Sequence, residues 1–383
     1  MSKKKVEGLI VDAKQMVDAF SVLDNVPSRP GIVSSMAVQM GVDSGGELRL
    51  ALSAEVSAVA RAGVKGDVNG AGKRSMYIDR RLFMPFVLVA RDSHSQAPFN
   101  IQIEKRRVIV RQGHRKAAFD VLPETGGYGI PAKGAGTILK SEHLIELLQV
   151  ARSCATADPA SPELNCVYLS SSQRGVELYA SNQLVMFHAV TSSKDAKLVS
   201  DLAFPLWIAE FLSAKGLQDM CIKEKAVELR LSQGVLWQGV SLKAQKSFPH
   251  KRVDTLVHEG KFKWPCRFKV RADRLGHVAA RFNQYLTCVR RQDWVLSAKG
   301  TAGASQILLE VRVPQGVFKE WLSTESPIAA DFMLEWPLDV LLPVFDYVSK
   351  IKKAVIAVHC GEKTPYFLEA GDISVIVAQK KTA

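Results

Sequence analysis

VDAKQMVDAF, Val11 to Phe20, carries apolar side chains at its first, sixth, seventh and tenth positions, the last three of which share one helical face. The same four positions are apolar in LKSEHLIELL, Leu139 to Leu148. Three of the four are apolar in VRADRLGHVA, Val270 to Ala279, where Gly276 takes the seventh. The copies start 128 and 131 residues apart. A pattern recurring at one period outweighs local propensity, because each copy must build the same supersecondary unit.

A second helical pattern follows each copy: IDRRLFMPFVLVA from Ile78, FPLWIAEFLSA from Phe204 and EWPLDVLLPVFDYV from Glu335, with starts 126 and 131 residues apart. Between the helices, runs such as ELRLALSAEVSAVARAGV and CVYLSSSQRGVELYAS alternate apolar and polar residues, as antiparallel strands with one packed face do. VIVRQGHRKAAFDVLP, Val108 to Pro123, reads as a strand, a tight turn at Gly113 and a second strand. GVLWQGVSLKAQKSFP from Gly234 predicts the same hairpin, with Pro249 lying 126 residues after Pro123. PYFLEAGDISVIVAQKK closes the third copy with a turn at Ala370-Gly371-Asp372. The sequence therefore predicts an α+β protein of three tandem domains, 1–130, 131–256 and 257–383, each with two helices packed on antiparallel sheets. Flexible stretches near Gly126–Gly134 and His258–Gly260 mark the breaks.

Composition narrows the function. The chain of 383 residues carries 51 Lys and Arg against 38 Asp and Glu, a net charge of +13, which points to a polyanionic partner. No apolar run reaches the roughly 18 residues of a membrane helix, and MSKKKVEGLIVDAKQ lacks the apolar stretch of a secretory signal. The expectation is a cytoplasmic protein with no membrane association. Six cysteines (Cys154, Cys166, Cys221, Cys266, Cys288 and Cys360) form no metal-ligand spacing and are expected as reduced, mostly buried thiols. Neither a metal nor a cofactor is expected.

The repeat length, the element order and the stretches SRPG (Ser28 to Gly31), VRQGHRKAAFDVLP, LYASNQLVMF and KSFPHKRV together resemble the bacterial DNA polymerase sliding clamps, the β subunits of the replicative polymerase. The resemblance covers nearly the whole chain. It implies a homodimer of three-domain subunits closed into a ring, helices lining the hole and sheets forming the wall. It further implies a non-enzymatic processivity factor whose partners are double-stranded DNA, a DNA polymerase and a clamp loader. A DNA-binding or scaffold protein on the same fold that does not act as a processivity ring is the alternative, because such clamps are usually acidic and this chain is basic.

The resemblance carries over site residues. Arg29 matches a DNA-contacting loop arginine, and Arg80 and Arg81 open a helix where the family keeps basic residues; Arg271 and Arg274 join them because a spacing of three puts both on one helix side. An apolar cleft for short linear peptides is expected at Val167, Ser181, Leu184, Val185, Met186, Pro249, Arg252, Val253, Val375, Ile376 and Val377. Asn182-Gln183-Leu184-Val185 replaces the family's Asp-Gly-His-Arg turn, and Trp207 stands where a lysine is common. The dimer interface is expected at Arg111, His114, Arg115, Lys116 and Ala117, on an edge strand meeting TAGASQILLEV, Thr301 to Val311, of the other subunit.

Enzyme signatures fail on inspection. GDVNGAGKRS has its first glycine out of register for a phosphate loop and Arg74 in place of the magnesium-binding hydroxyl, and GYGIPAKGAG has no strand-turn-helix setting. His188, His277 and His359 are expected as structural histidines.

Overall fold

The computed structural model describes residues 8–24, 26, 37–42, 46–52, 56–65, 75–92, 96–104, 106–123, 136–139, 142–156, 158, 160–191, 198, 201–213, 217–223, 225–232, 234–258, 264–286, 296–313, 316–361 and 364–379. In chain order the first elements are β1 (Leu9–Val11), α1 (Ala13–Asp24), β2 (Ala37–Val42), β3 (Glu47–Leu52), β4 (Ser57–Lys65), β5 (Met76–Asp79), α2 (Arg80–Asp92), β6 (Phe99–Ile103), β7 (Arg107–Gln112), β8 (Arg115–Leu122) and β9 (Thr137–Leu139). Next come α3 (Glu142–Ser153), β10 (Cys166–Ser172), β11 (Gly175–Ser181), β12 (Val185–Thr191), β13 (Leu202–Pro205), α4 (Leu206–Ala209), β14 (Leu217–Lys223), β15 (Ala226–Leu231), β16 (Gly234–Gly239), α5 (Leu242–Ser247) and α6 (His250–His258). The last are β17 (Cys266–Arg271), α7 (Ala272–Leu286), β18 (Leu296–Gly300), β19 (Gln306–Val313), β20 (Gly316–Ser323), β21 (Phe332–Trp336), α8 (Leu338–Ser349), β22 (Val355–Cys360), β23 (Tyr366–Ala370) and β24 (Ile373–Val377).

The contacts divide the chain into two units, 1–140 with 210–239, and 141–209 with 240–383. In the first, Asp12 caps α1 by accepting a hydrogen bond from the Gln15 amide at 3.1 Å, and Asp79 caps α2 through the Arg81 amide at 2.8 Å. Of the apolar positions read from Val11 to Phe20, Val11, Met16 and Phe20 are fully enclosed and Val17 is half-buried, and Ala19 and Leu23 complete the buried face of α1. Phe20 meets Phe83 of α2 edge to face at 4.9 Å between ring centres, and Phe83 meets Phe119 of β8 at 5.0 Å. Strands run β1-β6-β7-β8-β5-β2-β3-β4, and β1 also pairs with β4, so these eight close on themselves. β16, β15, β14 and β9 extend the sheet from β4. That seam is why residues 217–239 group with the first 140, although they were expected in the second domain.

The second unit holds an eight-stranded sheet, β13-β10-β11-β12-β24-β23-β22-β17, and a four-stranded sheet, β20-β19-β18-β21. α3 packs on β10, β11 and β12, and α7 packs against α8. Gly276 explains its departure from the repeat pattern: a Cβ there would lie 2.6 Å from the Ser349 Cβ of α8, so the close helix approach needs glycine.

Two local expectations change. The hairpin expected over 234–249 is half helix, because Ser241 accepts a hydrogen bond from the Ala244 amide at 3.2 Å and caps α5. The helix expected from Phe204 shrinks to the single turn of α4, followed by turn residues to Ser213. The hairpins at Gly113 and at Gly371 form as expected, both glycines having positive φ, +54° and +59°. The expected boundary at 130 and 131 lies outside the described residues, and that at 256 and 257 falls within α6. Cys154, Cys166, Cys221, Cys266 and Cys360 are free, buried thiols, while Cys288, GDVNGAGKR and the glycines of GYGIPAKG lie outside the described residues.

Candidate functional site

Strand register in the second unit sorts the residues expected to form the cleft. Val185 lies opposite Val377, Phe187 opposite Val375, and alternation puts them with Val167, all essentially fully buried, on one face of the sheet. Met186 lies opposite both Ile376 and Ser181, on the other face, which Tyr168, Tyr179 and His188 share. Val167, Val185, Val375 and Val377 are therefore core side chains rather than cleft walls. Sequence alone could not tell the two faces apart, since both are apolar.

The tyrosine face is covered by the segment after β16. Leu164, Cys166, Tyr168, Tyr179, Ala203, Ala244, Phe248 and Val253 form one buried cluster, with Met186 and Val240 half-buried against it. Tyr168 lies in a parallel stack between Phe248, centroid distance 5.2 Å, and His250, 4.6 Å. Its hydroxyl donates to Asp201 at 3.1 Å, and burial pushes that phenol upward. Pro249 is half-buried, Arg252 is exposed, and Leu184 keeps 40% of its surface. The turn carrying Leu184 is fixed: Asn182 Oδ1 accepts from the Leu184 and Val185 amides at 3.1 and 2.8 Å, and the Leu184 carbonyl accepts from the Ala378 amide at 2.8 Å. Met186 thus packs half-buried against the cluster that holds Phe248, while Leu184 and Arg252 are exposed and Pro249 and His250 half-buried. Tyr168, Phe248 and His250 carried no sequence signal, because they meet across some eighty residues of chain.

The same face holds a buried polar group. Glu177 accepts from Tyr179 Oη at 2.6 Å and from Arg174 at 3.2 Å, and pairs with His188 Nε2 at 3.1 Å. The His188 bond, followed by those from Ser172 and Tyr179 and the Arg174 charge, holds the Glu177 carboxyl far below the usual range against the effect of burial. Burial, then Glu177, raises the Tyr179 phenol. Among the described residues, Glu177, His188 and Asp254 bring ligand atoms within 4.8 Å of one another, a spacing that could hold a metal ion. The Arg174 guanidinium and the hydrogen bonds already on Glu177 work against a second cation there. His188 is structural, as expected. His277 is exposed on α7, and burial lowers half-buried His359 on β22.

The basic residues divide as well. Arg29 lies outside the described residues. Arg80 is buried and donates to the carbonyls of Leu23 at 3.2 Å and Val26 at 2.5 Å, tying the end of α1 to the start of α2; burial lowers its guanidinium. This geometry gives Arg80 an internal role, a correction to its expected place among exposed cations. Arg81 is 67% exposed and paired with Asp79 at 2.7 Å. Arg271 ends β17 rather than sharing a helix side with Arg274 and pairs with Asp273, whose carboxyl the exposed Arg274 charge also helps to lower.

On the first hairpin, Arg111 lies opposite Lys116 and Val110 opposite Ala117; Arg111, His114 and Lys116 are exposed. Arg115 is held inward, donating to Gln112 Oε1 at 2.9 Å and the Phe86 carbonyl at 2.6 Å, with its guanidinium over the Phe86 ring. From Arg115 to Asp120, β8 pairs with β7 alone among the described residues. In the four-stranded sheet β20 is an edge, while β19, which holds most of TAGASQILLEV, is interior.

No protein-family model and no curated protein matches the sequence. Solved structures do. The β subunit of DNA polymerase from Streptococcus pyogenes matches with a TM-score of 0.75 at 13% identity, covering 98% of this chain and 100% of that one. A putative DNA polymerase III β subunit from Eubacterium rectale gives 0.78 at 10% identity, over 97% and 99%. The DNA polymerase sliding clamp of Caulobacter crescentus gives 0.76 at 13% identity, over 98% and 99%. The chain has the sliding-clamp fold over the 97–98% of its length that these matches cover.

Proposed function

We propose that this chain is a DNA sliding clamp, a processivity factor that encircles duplex DNA and tethers a DNA polymerase through a peptide-binding surface that includes Leu184, Met186, Pro249 and Arg252. The match to polymerase β-subunit structures over 98% of the chain carries this reading. In it the chain is three modules, 1–130, 131–256 and 257–383, and the four-stranded sheet and the closed eight strands are parts of equivalent modules. Arg81, Arg271, Arg274 and Arg29 meet phosphates without reading bases, which permits sliding because phosphates are alike along the duplex. Pairing of Arg81 and Arg271 with aspartates weakens that grip. The chain performs no chemical step, uses no cofactor and works in the cytoplasm with a clamp loader.

Closure into a homodimer fits two open edges. Among the described residues β8 from Arg115 to Asp120 and β20 each leave one side unpaired, and an unpaired edge is a template for another strand. The partner strand is then β20 rather than β19, with exposed Val317 and Trp321 beside it. Sedimentation at micromolar concentration is expected to give a dimer; monomer alone overturns closure. Loaded on nicked circular plasmid, the protein is expected to stay through a high-salt column and to leave when the circle is cut. Release by salt from intact circles identifies an electrostatic binder instead.

A further inference from the structure

We propose that the first unit carries a separate binding site for a nucleotide-sized, phosphate-bearing ligand, built where β4 joins β16. The site goes beyond the clamp reading and does not depend on it. A cavity of about 470 Å³ opens there, and Arg49, Arg61 and Arg230 line it. Register explains the convergence. Arg49 of β3 lies directly opposite Arg61 of β4, Val59 of β4 lies opposite Val235 of β16, and Val235 lies opposite Arg230 of β15. Val59 and Arg61 share a strand face, so all three guanidinium groups stand on one side of the sheet. Gly234 makes the join possible: a Cβ there would lie 2.4 Å from the Val59 carbonyl oxygen.

Like charges placed directly opposite each other destabilise a sheet. The acids nearby do not cancel them. Glu47 reaches Arg61 only at 4.0 Å, with both side chains half-exposed or more, a pairing that contributes little. Asp219 faces Arg230 at 3.6 Å, and Arg49 meets no acid among the described residues. Arg49 adds to the concave site a positive charge that meets no acid among the described residues. Planar guanidinium forks match phosphate oxygens in pairs, which lysines would not. Val59, Leu231 and Val235 supply an apolar floor beside the cations, and the volume falls within the roughly 300–1,000 Å³ of small-molecule sites. Cations next to an apolar floor suit a ligand with a phosphate at one end and a flat heterocycle at the other.

Arg49→Gln makes a clean test, because among the described residues Arg49 meets no acid that the change would strand. In the ligand-free protein the substitution relieves the Arg49–Arg61 repulsion, so the melting temperature is expected to hold or rise. Titration calorimetry on the full chain would use inorganic phosphate, a nucleoside monophosphate, a nucleoside diphosphate and a short DNA duplex. The diphosphate is expected to bind best and to raise the melting temperature of the parent protein. Arg49→Gln is expected to weaken it about tenfold or more, and Arg49→Lys to recover only part of that loss. Three results overturn the proposal: no heat with any phosphate compound at millimolar concentration, binding unchanged in Arg49→Gln, or binding of duplex alone. A melting temperature that falls in Arg49→Gln without ligand also counts against it.

Discussion

One sheet of the second unit presents two faces with opposite duties. Val167, Val185, Phe187, Val375 and Val377 face inward and are sealed, while Tyr168, Tyr179, His188 and Met186 face the segment that follows β16. The first face is plain hydrocarbon, whose burial stabilises in proportion to area. The second is aromatic and polar, holds a buried carboxylate, and opens to solvent at Met186 and Leu184. The same strands therefore present a sealed hydrocarbon face on one side and an aromatic, partly open face on the other.

The comparison breaks first on the valine face. Phe187 is fully buried, so Phe187→Ala is expected to lose about 3–5 kcal/mol, read from the midpoint of denaturant unfolding. If the midpoint barely moves, the sealed face is not the anchor. On the tyrosine face Glu177→Gln is expected to cost roughly 1–3 kcal/mol at neutral pH, since it removes a charge hydrogen-bonded by His188, Tyr179 and Arg174. The sign with pH follows from the depressed carboxyl. The Glu177 contribution is fully present above its ordinary value of 4.5 and is lost as pH falls through the folded value. Stability measured from neutral pH down to about pH 3 should therefore fall less steeply in Glu177→Gln than in the parent protein. Parallel curves would remove Glu177 from the acid response.

How much of this was legible in the sequence depended on the range of the signal. The α1, α3 and α7 helices follow from periodicity within ten residues, and their common spacing is the ground for expecting three repeats. The Gly113 and Gly371 turns follow from single residues that adopt positive φ. The α5 helix did not show, because the alternation of GVLWQGV runs straight into Ser241 and the cap is local to four residues. Arg80 and Arg81 are indistinguishable in sequence, yet one helix start sends the first inward to two carbonyls and the second outward to Asp79. The valines assigned to the cleft met the same limit. Their identities suit either face, and only the pairing of β12 with β24 decides which one they occupy.

The smallest expected effect is the one that isolates the ligand surface. Leu184 stays 40% exposed although its backbone is pinned on both sides, by Asn182 and by Ala378, so its side chain adds little to folding. Leu184→Ala should change unfolding free energy by no more than about 0.5 kcal/mol, as surface substitutions commonly do. Affinity is a different matter, because an exposed leucine held on a rigid turn loses little entropy when covered. A fluorescent peptide with two apolar anchors, titrated against the parent and Leu184→Ala, should show a loss of about 1 kcal/mol or more, five- to tenfold in Kd. An unchanged Kd would move the ligand surface away from Leu184 toward Pro249 and His250. A drop in stability matching the drop in affinity would mean that Leu184 belongs with the sealed face after all.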